Sequence, residues 1–236
     1  MAKILIVCTA NVCRSPLAEL VLRHLCSGTD MRIESAGTHS LVGSPIDPGA
    51  AFLAHESGVN DEWITAHRSR RLSAIMARDY ELILTMTVEQ RSFVAQLIPE
   101  RAHEVHSLLE FAWLTQTTRT EVPSSFAIPT LSFTPSFSAE SSHFPWTITG
   151  DLAEKTPLTS DQPHESSIRT SAQALSQHRH LLARLDDFDP DVKDPVGGTE
   201  QMYRQMWERL SPALSIISRW LGQIDEQKPS GHLSLG

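Results

Sequence analysis

The chain has 236 residues, a formal net charge of -8 and a pI near 5.7. That acidity excludes a binder of the nucleic-acid backbone, and three cysteines are too few for a disulfide scaffold, as expected of a reducing compartment. No apolar stretch reaches the roughly eighteen residues of a membrane span, and no basic region precedes a signal core at the N-terminus, so a cytoplasmic protein is expected.

The run Lys3-Ile4-Leu5-Ile6-Val7 is followed by a turn-type segment, which predicts a buried strand over 3–8. Behind Pro16, a first-turn proline, Leu17 to Leu25 carries apolar residues at helical spacing and predicts a helix over 16–27. Further strands are predicted near 31–36, 80–86 and 103–107, and helices near 48–57, 87–97 and 199–221. The last helix places Met202, Met206, Leu210, Leu214, Ile217 and Leu221 at core spacing. This alternation implies parallel βαβ units with right-handed crossovers. The fold class is therefore α/β: a small four-stranded parallel sheet with helices on both faces and a site at the strand C-termini.

Between the last predicted strand and the last predicted helix lies a long insert. From Thr115 to Ser176, 23 of the 62 residues are Ser or Thr and 6 are Pro. Such a composition buries too little apolar surface to offset chain entropy, so most of it is expected to be disordered. Apolar positions at Ala172, Leu175, Leu182 and Leu185 suggest a marginal helix that returns the chain to the core. The folded domain is accordingly expected to be discontinuous, over 1–114 and 186–224, with an insert at 115–185 and a flexible tail at 225–236.

The chemistry concentrates at Cys8-Thr9-Ala10-Asn11-Val12-Cys13-Arg14-Ser15-Pro16, between the first strand and the first helix. Backbone N–H groups at such a junction have no helical partner and converge on an anion. The loop Thr9, Ala10, Asn11, Val12 and Cys13 would cradle a phosphate, with Cys8 below its phosphorus. The same donors favour thiolate over thiol. Arg14 offers a planar fork that grips two phosphate oxygens, which Lys cannot copy. Ser15 is placed to hydrogen-bond the Cys8 sulfur, and the Asn11 amide suits an irregular backbone. A lone Cys-x5-Arg arises by chance, and a strand-end cysteine is commonly a small core residue; the strand and helix on the correct sides argue for a nucleophile in a phosphate cradle. Such a nucleophile needs an acid for the leaving oxygen. Asp194, stiffened by Pro195, is the favoured candidate, with Asp191 and Asp189 competing nearby.

These residues resemble the low-molecular-weight protein tyrosine phosphatases, especially the bacterial branch paired with tyrosine kinases of exopolysaccharide export. The resemblance rests on the Cys8–Glu19 block, Glu34-Ser35-Ala36-Gly37-Thr38, Ser44-Pro45-Ile46-Asp47-Pro48, Ala66-His67-Arg68-Ser69-Arg70, Thr85-Met86 and Asp194-Pro195. It implies Cys8 as nucleophile, Arg14 as phosphate clamp, Asp194 as general acid and Leu41 on the wall of the substrate pocket. It implies no metal or organic cofactor, and a phosphotyrosine-bearing protein as partner, such as a bacterial tyrosine kinase. Three departures stand out. Ala10 replaces a usual glycine, at a cost on the order of 1 kcal/mol if that position needs a positive φ. Val196 replaces the aromatic that commonly follows Asp-Pro, and the insert precedes the loop that carries the acid.

Cys13 lies close enough along the loop to form a reversible disulfide with Cys8 that guards the thiolate from over-oxidation, whereas Cys26 reads as core. The closest histidine pairs, His178/His180 and His103/His106, lack the partners of a structural zinc site. His67 reads as a hydrogen-bonded packing residue. Other readings are an arsenate reductase using an external thiol, or a catalytically silent phosphotyrosine-binding module. Phosphoarginine hydrolysis is disfavoured, because the related enzymes carry threonine where this chain has Val12.

Overall fold

The computed structural model describes residues 2–117, 167–185 and 188–226. Four parallel strands form one sheet: β1 (Ala2–Cys8), β2 (Met31–Gly37), β3 (Leu82–Thr85) and β4 (Val105–Ser107), in the order β2-β1-β3-β4. Cys8 pairs with Gly37 at the C-terminal end of β1, and Val7 pairs with Thr85. Eight α-helices accompany the sheet among the described residues. They are α1 (Arg14–Leu25), α2 (Pro48–Glu56), α3 (Asp61–Ala66), α4 (Ala74–Arg78), α5 (Val88–Leu97), α6 (Leu108–Thr117), α7 (Ser167–Gln177) and α8 (Glu200–Glu226).

Alternation along β1 sets the layering, since successive side chains point to opposite faces. Ile4, Ile6 and Cys8 join a core with residues of α1, α2, α6, α7 and α8. Leu5 and Val7 join a second core with Ala77 of α4, Val94 of α5 and Tyr80. β1 therefore reads as a continuous apolar run, the pattern of a strand covered on both faces. Each such fully buried Ile or Leu is worth roughly 1.5–3 kcal/mol relative to exposure. The helices start where the sequence supplies caps: Asp47 for α2, with Pro48 behind it, Asn60 for α3, Ser73 for α4 and Thr87 for α5. From β1 the chain crosses to β2 on one side, while β3 pairs on the other. That strand-order reversal opens a crevice at the carboxyl end of β1, where Cys8 sits.

Several expectations change in detail. Helices α3, α4 and α6 were not anticipated; α3 and α4 are too short for a periodic signal, and α6 follows β4 directly. His103 and Glu104 belong to a 3-10 helix (Pro99–Glu104), not to a strand. Met202 is 42% exposed, so the core stripe of α8 begins at Met206. Residues 118–166 of the anticipated insert, and 227–236 of the anticipated tail, lie outside the described residues. Within the insert range, α7 and a 3-10 helix (His178–Arg184) are described. Ile168, Ala172 and Leu175 are buried in the core. Polar contacts fix the same segment: Arg179 Nε donates to Glu110 at 2.5 Å, Arg169 pairs with Glu104 at 3.3 Å, and His106 Nε2 meets the Ala172 carbonyl at 3.0 Å.

Candidate active site

β1 delivers Cys8, 2% exposed, to the base of the loop Thr9–Cys13, and α1 begins at Arg14. The loop must reverse sharply, and the strain falls on Asn11, whose φ is +57°. Asparagine tolerates this left-handed conformation better than most residues. Asn11 is the only non-glycine residue with positive φ among the described residues, so Ala10 carries no such penalty. The Asn11 side chain then anchors the bend. Its Nδ2 donates to Ser15 Oγ at 3.0 Å and Ser35 Oγ at 2.7 Å, and its Oδ1 accepts from the Arg70 N–H at 2.8 Å. Its carbonyl meets His67 Nε2 at 3.0 Å, and Ser35 in turn donates to Glu19 at 2.5 Å.

Two donors converge on the Cys8 sulfur: Ser15 Oγ at 3.0 Å and the Asn11 N–H at 3.2 Å. The N–H groups of Ala10, Val12 and Cys13 have no acceptor among the described residues. Together with the start of α1 they make a concave set of donors of the kind that binds anions.

Arg14 is 4% exposed. Its Nη1 donates to the Val192 carbonyl at 3.0 Å, and its Nη2 is paired with Asp194 Oδ2. Its Nε is buried and has no partner among the described residues, a costly condition that an anion in the loop would relieve. The segment carrying the acid is stitched to the end of β3. Val192 N–H donates to the Met86 carbonyl at 2.8 Å, and Asp191 accepts from the Val88 N–H at 2.8 Å. Asp191 is thereby engaged with the start of α5, and Asp189 pairs with Arg209. Of the three neighbouring acids, Asp194 alone meets Arg14. The carboxyl is half exposed and also accepts from the Val196 N–H at 3.2 Å.

The remaining predicted residues frame this centre. Thr9 is exposed and its hydroxyl accepts from Gln90 Nε2 at 3.0 Å. Val12 gives its carbonyl to the Asp47 N–H at 2.7 Å. Cys13 is a free, buried thiol. Burial pushes its pKa far up, with Asp47, Asp194 and Cys8 adding to the effect, so it stays uncharged beside the loop. Leu41 has its carbonyl held by the Ser44 hydroxyl at 2.9 Å and by Ser69, while its side chain is 74% exposed. Sequence reasoning gave no role to Glu19, Ser35, Gln90, Asp47 or Tyr203. Each reaches the loop through tertiary contact, for which spacing along the chain carries no signal. Tyr203 packs over Gly49, where a Cβ would come within 2.5 Å of its ring, and lies near Asp47.

A buried thiol under an anion cradle, with an arginine and an aspartate beside it, is an arrangement suited to phosphate chemistry. A family model described as low molecular weight phosphotyrosine protein phosphatase matches residues 3–133, and the chain belongs to that family. The low molecular weight protein-tyrosine-phosphatase Etp of Escherichia coli K12 is 45% identical over 97 residues, covering 41% of this chain and 62% of its own length. The low molecular weight protein-tyrosine-phosphatase Wzb of Salmonella typhi is 39% identical over 103 residues, 44% of this chain and 66% of its own. The chain thus spans just under two thirds of the length of these curated relatives. Among solved structures, the tyrosine phosphatase Wzb of Escherichia coli K30 with sulphate aligns with a TM-score of 0.56 at 19% identity, over 93% of this chain and 98% of that one. The YwlE arginine phosphatase of Geobacillus stearothermophilus aligns with a TM-score of 0.60 at 18% identity, over 98% and 100%. At these identities the two structures establish a shared fold.

Proposed function

We propose that the protein hydrolyses protein phosphotyrosine through a phosphocysteine intermediate, with Cys8 as nucleophile, Arg14 as phosphate clamp and Asp194 as general acid. The observation that carries this reading is the arrangement at the loop: a buried sulfur with two donors, and beside it an arginine whose Nε is unpartnered while Asp194 occupies another arm. Phosphate oxygens take the donors of the loop and of Arg14, and this frees the Asp194 carboxyl to face the leaving oxygen. The thiolate attacks phosphorus, the aryl P–O bond breaks, and Asp194 gives its proton to the departing phenolate. Water then attacks the phosphocysteine and passes a proton back to Asp194. The thiolate leaves with the bonding electrons, stabilised by Ser15 and the Asn11 N–H. The depth of Cys8 suits an aryl phosphate, whose long ring reaches a buried sulfur.

Leu41 and Val196 are exposed apolar residues, suited to rim contacts with a protein substrate. A tyrosine kinase of polysaccharide export is the partner class we infer, and the cytoplasm the compartment. Among the described residues no helix is long and apolar enough to cross a membrane. The discriminating experiment compares wild type and Cys8→Ser on a phosphotyrosyl peptide, on phosphoarginine, and on arsenate with external thiol. Cys8-dependent turnover confined to the phosphotyrosyl peptide supports the proposal. Turnover of arsenate alone would replace it with the reductase reading, and tight peptide binding without turnover with the silent module.

A further inference from the structure

Beside the phosphate loop, a cavity of about 190 Å³ is lined by residues of α1, β2, α3 and the segment after α3. Its apolar wall is Leu20, Ala66 and Trp63, and its cations are Arg23, Arg68 and Arg70. Two carboxylates also face it, yet both are engaged within the wall. Glu34 takes two bonds from Arg32 at 2.8 and 3.1 Å, one from Arg70 at 3.2 Å and the Tyr80 hydroxyl. Glu19 takes Ser35 at 2.5 Å and Arg23 at 3.4 Å. Arg68 differs: only its Nη1 is bonded, to the carbonyls of Thr65 and His67 at 2.8 and 2.6 Å, and it has no carboxylate partner among the described residues. Its other donors remain for a ligand. Arg23 stacks 4.4 Å from the centre of the Trp63 ring, so a flat cation and a flat apolar surface already adjoin.

We propose that this cavity binds a small planar anion, an aromatic ring bearing a carboxylate or phosphate group, with the ring against Trp63 and Leu20 and the anion on Arg68. The space is below the 300–1,000 Å³ or so of sites for drug-sized ligands, and fits one ring with its charged group. Three of its lining residues reach Asn11. His67 meets the Asn11 carbonyl, the Arg70 N–H meets Asn11 Oδ1, and Glu19 acts through Ser35. Occupation therefore bears on the bend that holds the Cys8 sulfur. The site itself stands apart from the phosphatase reading; only its effect on rate rests on that reading.

The test is a titration of wild-type protein with sodium benzoate and, separately, with inorganic phosphate, following the Trp63 indole N–H by NMR after assignment with Trp63→Phe. Benzoate should give a saturable Trp63 shift with a millimolar dissociation constant, weakened about fivefold or more in Arg68→Gln. Arg68 is exposed, so that variant keeps its fold. In parallel, kcat for p-nitrophenyl phosphate should change with KM unaltered. An unshifted Trp63 at about 50 mM benzoate, equal binding by Arg68→Gln, or an equal shift with inorganic phosphate would each overturn the proposal. Purely competitive inhibition would overturn the link to the loop. A wild type without any hydrolysis would sink the phosphatase reading and leave the Trp63 titration standing.

Discussion

Replacing Asn11 isolates what the bend of the phosphate loop costs to hold. Asn11→Ala removes three side-chain hydrogen bonds, to Ser15, to Ser35 and from the Arg70 N–H, inside a site where Asn11 is fully buried. At about 1 kcal/mol net for each, the loss is near 3 kcal/mol. Alanine must also adopt the φ of +57°, which adds about 1 kcal/mol. Asn11→Gly loses the same hydrogen bonds and escapes the conformational penalty, so it should be the more stable variant by about 1 kcal/mol. Thermal unfolding should place Asn11→Ala roughly 8–16 °C below wild type, at about 2–4 °C per kcal/mol for a domain of this size. Both variants should lose turnover, because the Asn11 N–H no longer meets the sulfur in a fixed place. Equal stability of the two variants, or a loss below about 1 kcal/mol in either, would refute the account of the bend.

Four further outcomes follow from other contacts. Gly37→Ala places a Cβ 2.5 Å from the Thr9 carbonyl oxygen and 2.9 Å from Ala10, with Ser40 closer still; it should displace the loop, cost about 1–3 kcal/mol in denaturant unfolding and lower kcat. Burial pushes the His106 pKa down to about 3, so the unfolded chain binds a proton near 6.5 that the folded one refuses. Stability from this group is complete above pH 6.5 and falls with pH towards 3, by about 2 kcal/mol at pH 5, and the denaturation profile of His106→Gln should lack that component. Glu110 is 1% exposed between Arg91 and Arg179, so Arg179→Met should cost about 2–4 kcal/mol and speed amide exchange in α7. Excising residues 115–185 removes Ile168, Ala172 and Leu175 from the core and should abolish folding, whereas excision of 118–166 with a flexible linker keeps all these contacts and should preserve turnover.

What was legible in the sequence was what sits close together along the chain. Cys8, Arg14 and Ser15 lie within one strand-loop-helix unit, and the apolar run of β1 announces a strand buried on both faces. Asp194 was reachable only because Pro195 marks a stiff loop and because the block resembles a known family. The support of the loop was not legible. Ser35, Arg70, Glu19 and Gln90 arrive from different elements, and no periodicity marks a residue whose task is to hold Asn11 or Thr9. Whether the position of Ala10 needs a positive φ was left open by the sequence; that conformation lies at Asn11, since substitution of one loop residue says nothing of how its neighbour takes up the turn. Within the insert, the spacing of Ala172 and Leu175 pointed to a helix returning the chain to the core, where α7 lies; what spacing could not show is that Arg169 and Arg179 meet the buried carboxylates Glu104 and Glu110.

In the proposed mechanism Cys8 forms a covalent bond to phosphorus. Wild-type protein mixed with a phosphotyrosyl peptide, quenched within its first turnovers and digested under conditions that spare a phosphothioester, should carry one phosphate on the peptide containing Cys8. The adduct should be absent in Cys8→Ser and accumulate in Ser15→Ala, whose thiolate leaves less readily. Turnover of the peptide with no phosphate on Cys8 at any time would contradict the account.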